Sequence, residues 1–148
     1  MTTCTVREAV AADVPAIMEL IAQQDMSPDN RLSESEAKRL FEEITNTGCH
    51  KLYVAFVDSR LVGTFALVVV QSLTHNGGKS AVVEDVVVRS DVQGHGIGRQ
   101  MMDYAAEKAR AVGAQKVVLS SGQARENAHA FYEHLGYKRD GFRFGLTL

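Results

Sequence analysis

A chain of 148 residues, 45% of them hydrophobic and with a net charge of −2, is large enough to bury a full core, and its charge balance excludes a general attraction to nucleic acid. The longest apolar run, Thr64 to Val70, is too short to cross a bilayer, so no membrane partner is expected. Cys4 and Cys49 lack C-x-x-C spacing and Met1 to Val10 lacks the basic and apolar regions of a signal peptide, so a reduced, cytoplasmic protein is expected.

Thr5 to Val10 reads as an opening strand. Asp13 then reads as a helix N-cap with Pro15 in the first turn, and Val14, Ile17, Met18 and Ile21 recur at helical spacing, which predicts a first helix to about Gln24. Asp25 to Leu32, with Pro28, is a polar loop. Ser33 and Glu36 form a capping box for a second helix with Ala37, Leu40, Phe41 and Ile44 on its buried stripe, ending near Asn46 to Gly48. Leu52 to Val57 and Leu61 to Val70 read as two strands joined through Asp58-Ser59-Arg60. Gln71 to Lys79 is a glycine-rich loop, and Ala81 to Val88 is a third strand interrupted only by Glu84 and Asp85. Three successive strands favour an antiparallel meander over a doubly wound sheet.

After Arg89 to Asp91 come three glycines at alternate positions, Gly94, Gly96 and Gly98, and then a long helical pattern. The first turn of a helix leaves backbone N–H groups without intrahelical partners and favours negative charge, and glycines let a phosphate approach them. Gln93 to Arg99 therefore reads as a pyrophosphate cradle; a glycine-rich turn without a ligand explains the loop taken alone equally well. Gly98 is followed by Arg99 and Gln100, which does not fit a P-loop, and the spacing does not fit the dinucleotide fingerprint. Lys116 to Ser120 reads as a further strand and Asn127 to Leu135 as a short helix stopped by Gly136. Tyr137 to Arg139 and Phe142 to Leu148 read as a final hairpin around Asp140-Gly141. No internal boundary is evident, so residues 1–148 read as one domain.

Gln93-Gly94-His95-Gly96-Ile97-Gly98 resembles the Q/R-x-x-G-x-G/A signature of the GNAT superfamily of acyl-CoA-dependent N-acetyltransferases. Asn127 to Tyr137 resembles that family's N-x-x-x-x-F-Y-x-x-x-G-F/Y segment. Glu84-Asp85 followed by Val86-Val87-Val88 is similar to glucosamine-6-phosphate N-acetyltransferases, and the small size with Phe142-Arg143-Phe144 is similar to aminoalkylphosphonate N-acetyltransferases. The resemblance implies an α+β fold with a mixed, mostly antiparallel sheet of about six to seven strands and about four helices. It implies acetyl-CoA as cosubstrate, with Gln93, Gly94, His95, Gly96, Ile97, Gly98 and Arg99 at the pyrophosphate. It also implies main-chain groups of Val86, Val87 and Val88 at the pantetheine arm and thioester, and Asn127 at the pantetheine or phosphate. By the same resemblance, the first two helices form a wall of the acceptor site, and Tyr132 protonates the departing thiolate; on the residues alone, these are ordinary helices and a packed aromatic.

Acetyl transfer to a primary amine needs a proton acceptor, and Glu84, set among valines whose burial would raise its pKa, reads as the base. A structural pairing of Glu84 or Asp85 with an arginine is the other reading. Scattered histidines predict no metal site, and adjacent Cys49 and His50 would point to opposite faces of a strand, which favours direct transfer in a ternary complex. His75 and Arg143 stand as candidate acceptor contacts. The expected function is acetylation of a small-molecule primary amine; a protein acetyltransferase acting on lysine or an N-terminus, and a non-catalytic CoA sensor, are the alternatives. Alternation of Phe142, Phe144, Leu146 and Leu148 gives one apolar face, and with the family's habit of pairing through its C-terminal strands this predicts a homodimer.

Overall fold

The computed structural model describes residues 1–23 and 31–148, so the predicted loop around Pro28 lies largely outside the described residues. The chain divides into two compact units, Met1–Val118 and Leu119–Leu148. Along the chain run β1 (Thr5–Glu8), α1 (Val14–Ile21), α2 (Glu34–Asn46), β2 (His50–Val57), β3 (Arg60–Gln71), β4 (Lys79–Val88), α3 (Ile97–Ala111), β5 (Ala114–Leu119) and α4 (Glu126–His134). The strands lie in one sheet in the order β1-β2-β3-β4-β5, and the β1-β2, β2-β3 and β3-β4 pairs are antiparallel. The fold class is the mixed α+β arrangement expected, with five strands among the described residues instead of six to seven. The difference lies at the end of the chain. Residues 137–148 form no strand, and Phe142, Phe144, Leu146 and Leu148 are exposed, leaving the expected hairpin without a sheet partner to complete its ladder.

Strand alternation distributes the apolar residues to two faces of the sheet. On one face Val54 and Val87 pack with Val14, Ile17 and Leu20 of α1 and Ala37 and Phe41 of α2. On the other, Tyr53 stacks on Phe65 at 5.0 Å between ring centroids, and Tyr104 of α3 meets Tyr53 edge-on. Gly63 of β3 faces the fully buried Met101 of α3, whose sulfur lies 2.5 Å from where a Cβ would stand, so a larger residue would force the Met101 side chain to shift. Phe65, Leu20, Ile97, Met101 and Met102 are the largest fully buried side chains, each worth about 1.5–3 kcal/mol of burial.

The helix starts follow from local chemistry. Ser33 Oγ accepts the Glu36 N–H at 3.2 Å while a Glu36 carboxylate oxygen accepts the Ser33 N–H at 3.1 Å, the reciprocal capping box that the sequence predicts. Asp13 differs from its expected role. It sits at the end of a short 3₁₀ turn, Ala11–Asp13, and makes no side-chain cap to α1. Its carboxylate instead accepts the Val10 N–H at 2.8 Å and two Arg7 guanidinium bonds at 2.7 and 3.0 Å, tying β1 to the start of α1.

Candidate functional site

The β3-β4 register places Thr64 opposite Val87 and Ala66 opposite Glu84. Two steps along β3 thus match three along β4, which makes a β-bulge that leaves Asp85 and Val86 without one-to-one partners. Asp85 takes φ +52°, a left-handed conformation that Asp tolerates better than most residues but that costs roughly 1–2 kcal/mol. In an unbroken strand Glu84 and Asp85 would project to opposite faces. The bulge suspends that alternation: Glu84 stands opposite Ala66, and Asp85 is among the residues that line a pocket beside them.

That pocket, about 260 Å³, lies between α1, α2 and the sheet. Its walls include Ile17 and Met18 of α1, Leu40 and Phe41 of α2, and Leu52 and Ala66 of the sheet. Thr64 and Asp85 are its polar lining residues. The Thr64 hydroxyl is already committed, donating to the Tyr53 carbonyl at 2.8 Å, whereas the Asp85 carboxylate has no ion pair among the described residues. Asp85 is exposed and so stands at the mouth. Glu84 is exposed as well, which corrects the expectation that neighbouring valines would desolvate it: the bulge interrupts the packed surface at this point.

Beyond β4 the chain turns into the glycine loop. The Gln93 side-chain amide donates to the Val88 carbonyl at 3.0 Å and anchors the loop to the strand end. Gly94 and Gly96 have φ of +80° and +83°, and Gly96 is the N-cap residue of α3. α3 starts at this left-handed residue with no side-chain cap, so the first-turn amides of Ile97, Gly98 and Arg99 lack intrahelical acceptors, an arrangement suited to an anion. Ile97 buries its side chain, so only its main chain is available there, while His95 and Arg99 are exposed. The segment before β1 also packs on this loop. Thr2 N–H donates to the His95 carbonyl at 3.0 Å, and the Gln100 side chain joins the Thr2 carbonyl at 2.6 Å to the Cys4 N–H at 3.0 Å. Nothing in the residue pattern announced this strap.

Of the remaining expected residues in this unit, Val87 is buried and Val86 and Val88 are half-buried beside the bulge. His75 occupies the turn beyond the Gln71–Lys79 pair and is not among the pocket-lining residues. Lys79 to Glu84 is five steps of strand, roughly 17 Å, so the hairpin carries His75 away from the bulge.

In the second unit, Tyr132 of α4 is half-buried, with ring centroids 5.1 Å from Phe131 and 5.8 Å from Tyr137. Burial pushes its phenol pKa up, against the opposing charge of Arg125, so the hydroxyl is a protonated donor at neutral pH. Asn127 lies exposed in the first turn of α4, and Arg143 is exposed in the C-terminal segment. Sequence reasoning gave Asp85 no place in the site although it lines the pocket; two adjacent acids inside an apolar strand break its alternation, and that was the available sign of a bulge.

Comparison with known proteins agrees with this geometry. Residues 14–137 match the model of the Acetyltransferase (GNAT) family. Aminoalkylphosphonate N-acetyltransferase of Salmonella typhimurium is 29% identical over 149 aligned positions, covering 100% of this chain and 94% of that protein. Glucosamine 6-phosphate N-acetyltransferase 1 of Oryza sativa is 28% identical over 124 positions, covering 82% and 73%. The crystal structure of glucosamine-6-phosphate N-acetyltransferase from Arabidopsis thaliana shares the fold, with a TM-score of 0.86 at 23% identity over 98% of both chains. With the family model matching residues 14–137, the chain belongs to the GNAT family of N-acetyltransferases.

Proposed function

We propose that the protein transfers the acetyl group of acetyl-CoA to the primary amine of a small molecule, directly and within a ternary complex. The observation that carries this reading is the run from the β4 bulge through the left-handed Gly96 to the uncapped first turn of α3, which under this reading would offer a thioester contact and a pyrophosphate cradle on one continuous stretch. Gln93 to Arg99 would hold the pyrophosphate, main-chain groups of Val86 to Val88 the pantetheine arm and thioester oxygen, and Asn127 the pantetheine or a phosphate. A backbone N–H aimed at the developing oxyanion contributes typically about 3–4 kcal/mol. Glu84, through water, takes the proton as the amine nitrogen forms the new C–N bond; the C–S bond breaks and Tyr132 gives its proton to the thiolate.

Under the same proposal the two units act as one acetyltransferase domain, the family match spanning both. The enzyme is cytoplasmic and homodimeric, with Phe142, Phe144, Leu146 and Leu148, at 87%, 93%, 84% and 110% exposure, supplying the apolar surface that a second copy covers. Light scattering at micromolar concentration should give twice the chain mass, and a monomer would refute the pairing. The activity itself is tested by free-thiol release from acetyl-CoA with a panel of amines, a lysine peptide and no acceptor. Thiol release with a small amine above the other two supports the reading; release with the peptide alone overturns it in favour of protein acetylation.

A further inference from the structure

We propose that Gln100 is a positioning residue for the acetyl-CoA loop, and that through it the segment Met1 to Cys4 holds the loop's amides in the arrangement that receives the pyrophosphate. This rests on the acetyltransferase reading above and extends its cofactor site to residues outside the span matched by the family model, which begins at residue 14. Gln100 stands one turn into α3. Its Nε2 carries two hydrogens and donates to two carbonyls, Thr2 at 2.6 Å and Gly96 at 3.1 Å, while its Oε1 accepts the Cys4 N–H at 3.0 Å. With two carbonyls and one N–H as partners, only one orientation of the side-chain amide satisfies all three.

The consequence lies at the other end of the peptide planes. In a trans peptide unit the C=O and the N–H point in opposite directions. The Gly96 carbonyl accepts both the backbone N–H of Gln100, at 3.2 Å, and its side chain, and the His95 carbonyl accepts the Thr2 N–H at 3.0 Å. Two consecutive units are therefore held by their carbonyls, which sets the directions of the N–H groups of Gly96 and Ile97. Neither N–H has a hydrogen-bond acceptor among the described residues. The Met1 side chain completes the contact, occupying the space where a Cβ on Gly96 would stand.

Gly94, Gly96 and Gly98 give this loop much backbone freedom to lose, and an anion that had to order it would bind more weakly for that reason. Tethers at two successive carbonyls remove part of that freedom before the cofactor arrives. A tie between β1 and α3 alone would need only the Cys4 bond. The bonds to the Gly96 carbonyl and, through Thr2, to the His95 carbonyl act on the loop itself.

The test is Gln100→Met in the full chain, which keeps side-chain length and helix propensity and removes all three side-chain bonds. Calorimetric titration with coenzyme A should show binding weakened about tenfold, the scale of one or two net hydrogen bonds. Gly113→Val, at the far end of α3, disturbs the helix without touching the tether and should leave that affinity unchanged. Thr2→Pro removes the N–H that holds the His95 carbonyl while Gln100 stays intact, and should weaken coenzyme A about threefold; it reads the tether even where Gln100→Met does not fold. With the amine of the panel that turns over fastest, Gln100→Met should raise KM for acetyl-CoA about tenfold and keep kcat. It should leave kcat/KM for S-acetylpantetheine, which has no pyrophosphate, unchanged. Unchanged coenzyme A affinity in both tether variants, no binding to the wild type, or an equal loss with both acetyl donors would overturn the proposal. If coenzyme A binding changes as expected but no amine releases thiol, the acetyltransferase reading fails alone and the calorimetry still supports the tether.

Discussion

Gly96→Val separates the backbone role of the glycine loop from its ligand role. At φ +83° any L-residue costs roughly 1–2 kcal/mol, and a β-branched one stands at the upper end of that range. The new Cβ would also meet the Met1 side chain, whose flexible end can give way. With a total stability of about 5–15 kcal/mol the fold should persist, and the melting temperature should fall by about 2–8 °C at ~2–4 °C per kcal/mol. The ligand effect is larger and opposite in logic. Acetyl-CoA at 100 times its Kd stabilises the native state by about 2.7 kcal/mol, and a cradle blocked enough to weaken binding 100-fold would leave only ~0.4 kcal/mol at the same concentration. Gly113→Val, at the far end of α3 with φ +80° and nothing within 4 Å of its Cβ, is the control: it bears a similar backbone cost but should keep the full ligand shift. Scanning calorimetry with and without acetyl-CoA reads both terms. A full wild-type shift in Gly96→Val would refute the cradle, whatever the melting temperature of the free variant.

Glu84→Gln should lower turnover at neutral pH by about 10²- to 10⁴-fold and recover in part toward pH 10, where the amine is already neutral; an unchanged rate, or a loss independent of pH, removes Glu84 as the base. Tyr132→Phe should keep the acetyl-CoA stabilisation yet lose rate with no high-pH recovery, and near-normal turnover would reduce Tyr132 to packing. For Asp13→Asn, the guanidinium bonds from Arg7 and the Val10 N–H hold the native carboxyl pKa below its usual range against the opposing effect of burial, so its contribution is complete above the unfolded pKa of about 3.9 and is lost as pH falls through the native value. Urea titrations should show a loss of about 1.5–3 kcal/mol at pH 7 that shrinks toward pH 2, and a difference constant across that range would contradict the ion-pair origin.

Much of this architecture was legible because it is written in local chemistry. The Ser33–Glu36 box, the Asp58-Ser59 turn and the glycines before α3 each act within a few residues, and each stands where the sequence places it. Glu84 and Asp85 were legible as acids but the bulge between them and Val87 was not, because periodicity assumes the regular alternation that the bulge suspends. The strap of Gln100 on Thr2 and Cys4 spans nearly the length of the first unit in sequence, and no short-range signal encodes it. The C-terminal apolar alternation is a pattern without a partner strand: alternation states which face would be buried, not what is present to bury it.

The segment from residue 85 to 96 carries three left-handed residues of the first unit. Asp85, Gly94 and Gly96 are all left-handed, and only the two glycines adopt that conformation cheaply. Asp85 is therefore the position within this segment where local preference and native conformation conflict, and a glycine there would relax the backbone while removing the carboxylate. The flanking residues show what sustains the conflict. Val83 and Val87 on either side of the bulge are 2% and 4% exposed, and Ile97 and Met101 at the start of α3 are 1% and 0% exposed. Burial of those four side chains, at about 1.5–3 kcal/mol each, exceeds the roughly 1–2 kcal/mol that the left-handed Asp85 costs. A strained acid can thus be held on a rigid strand between two packed anchors, with its backbone conformation over-determined by its neighbours.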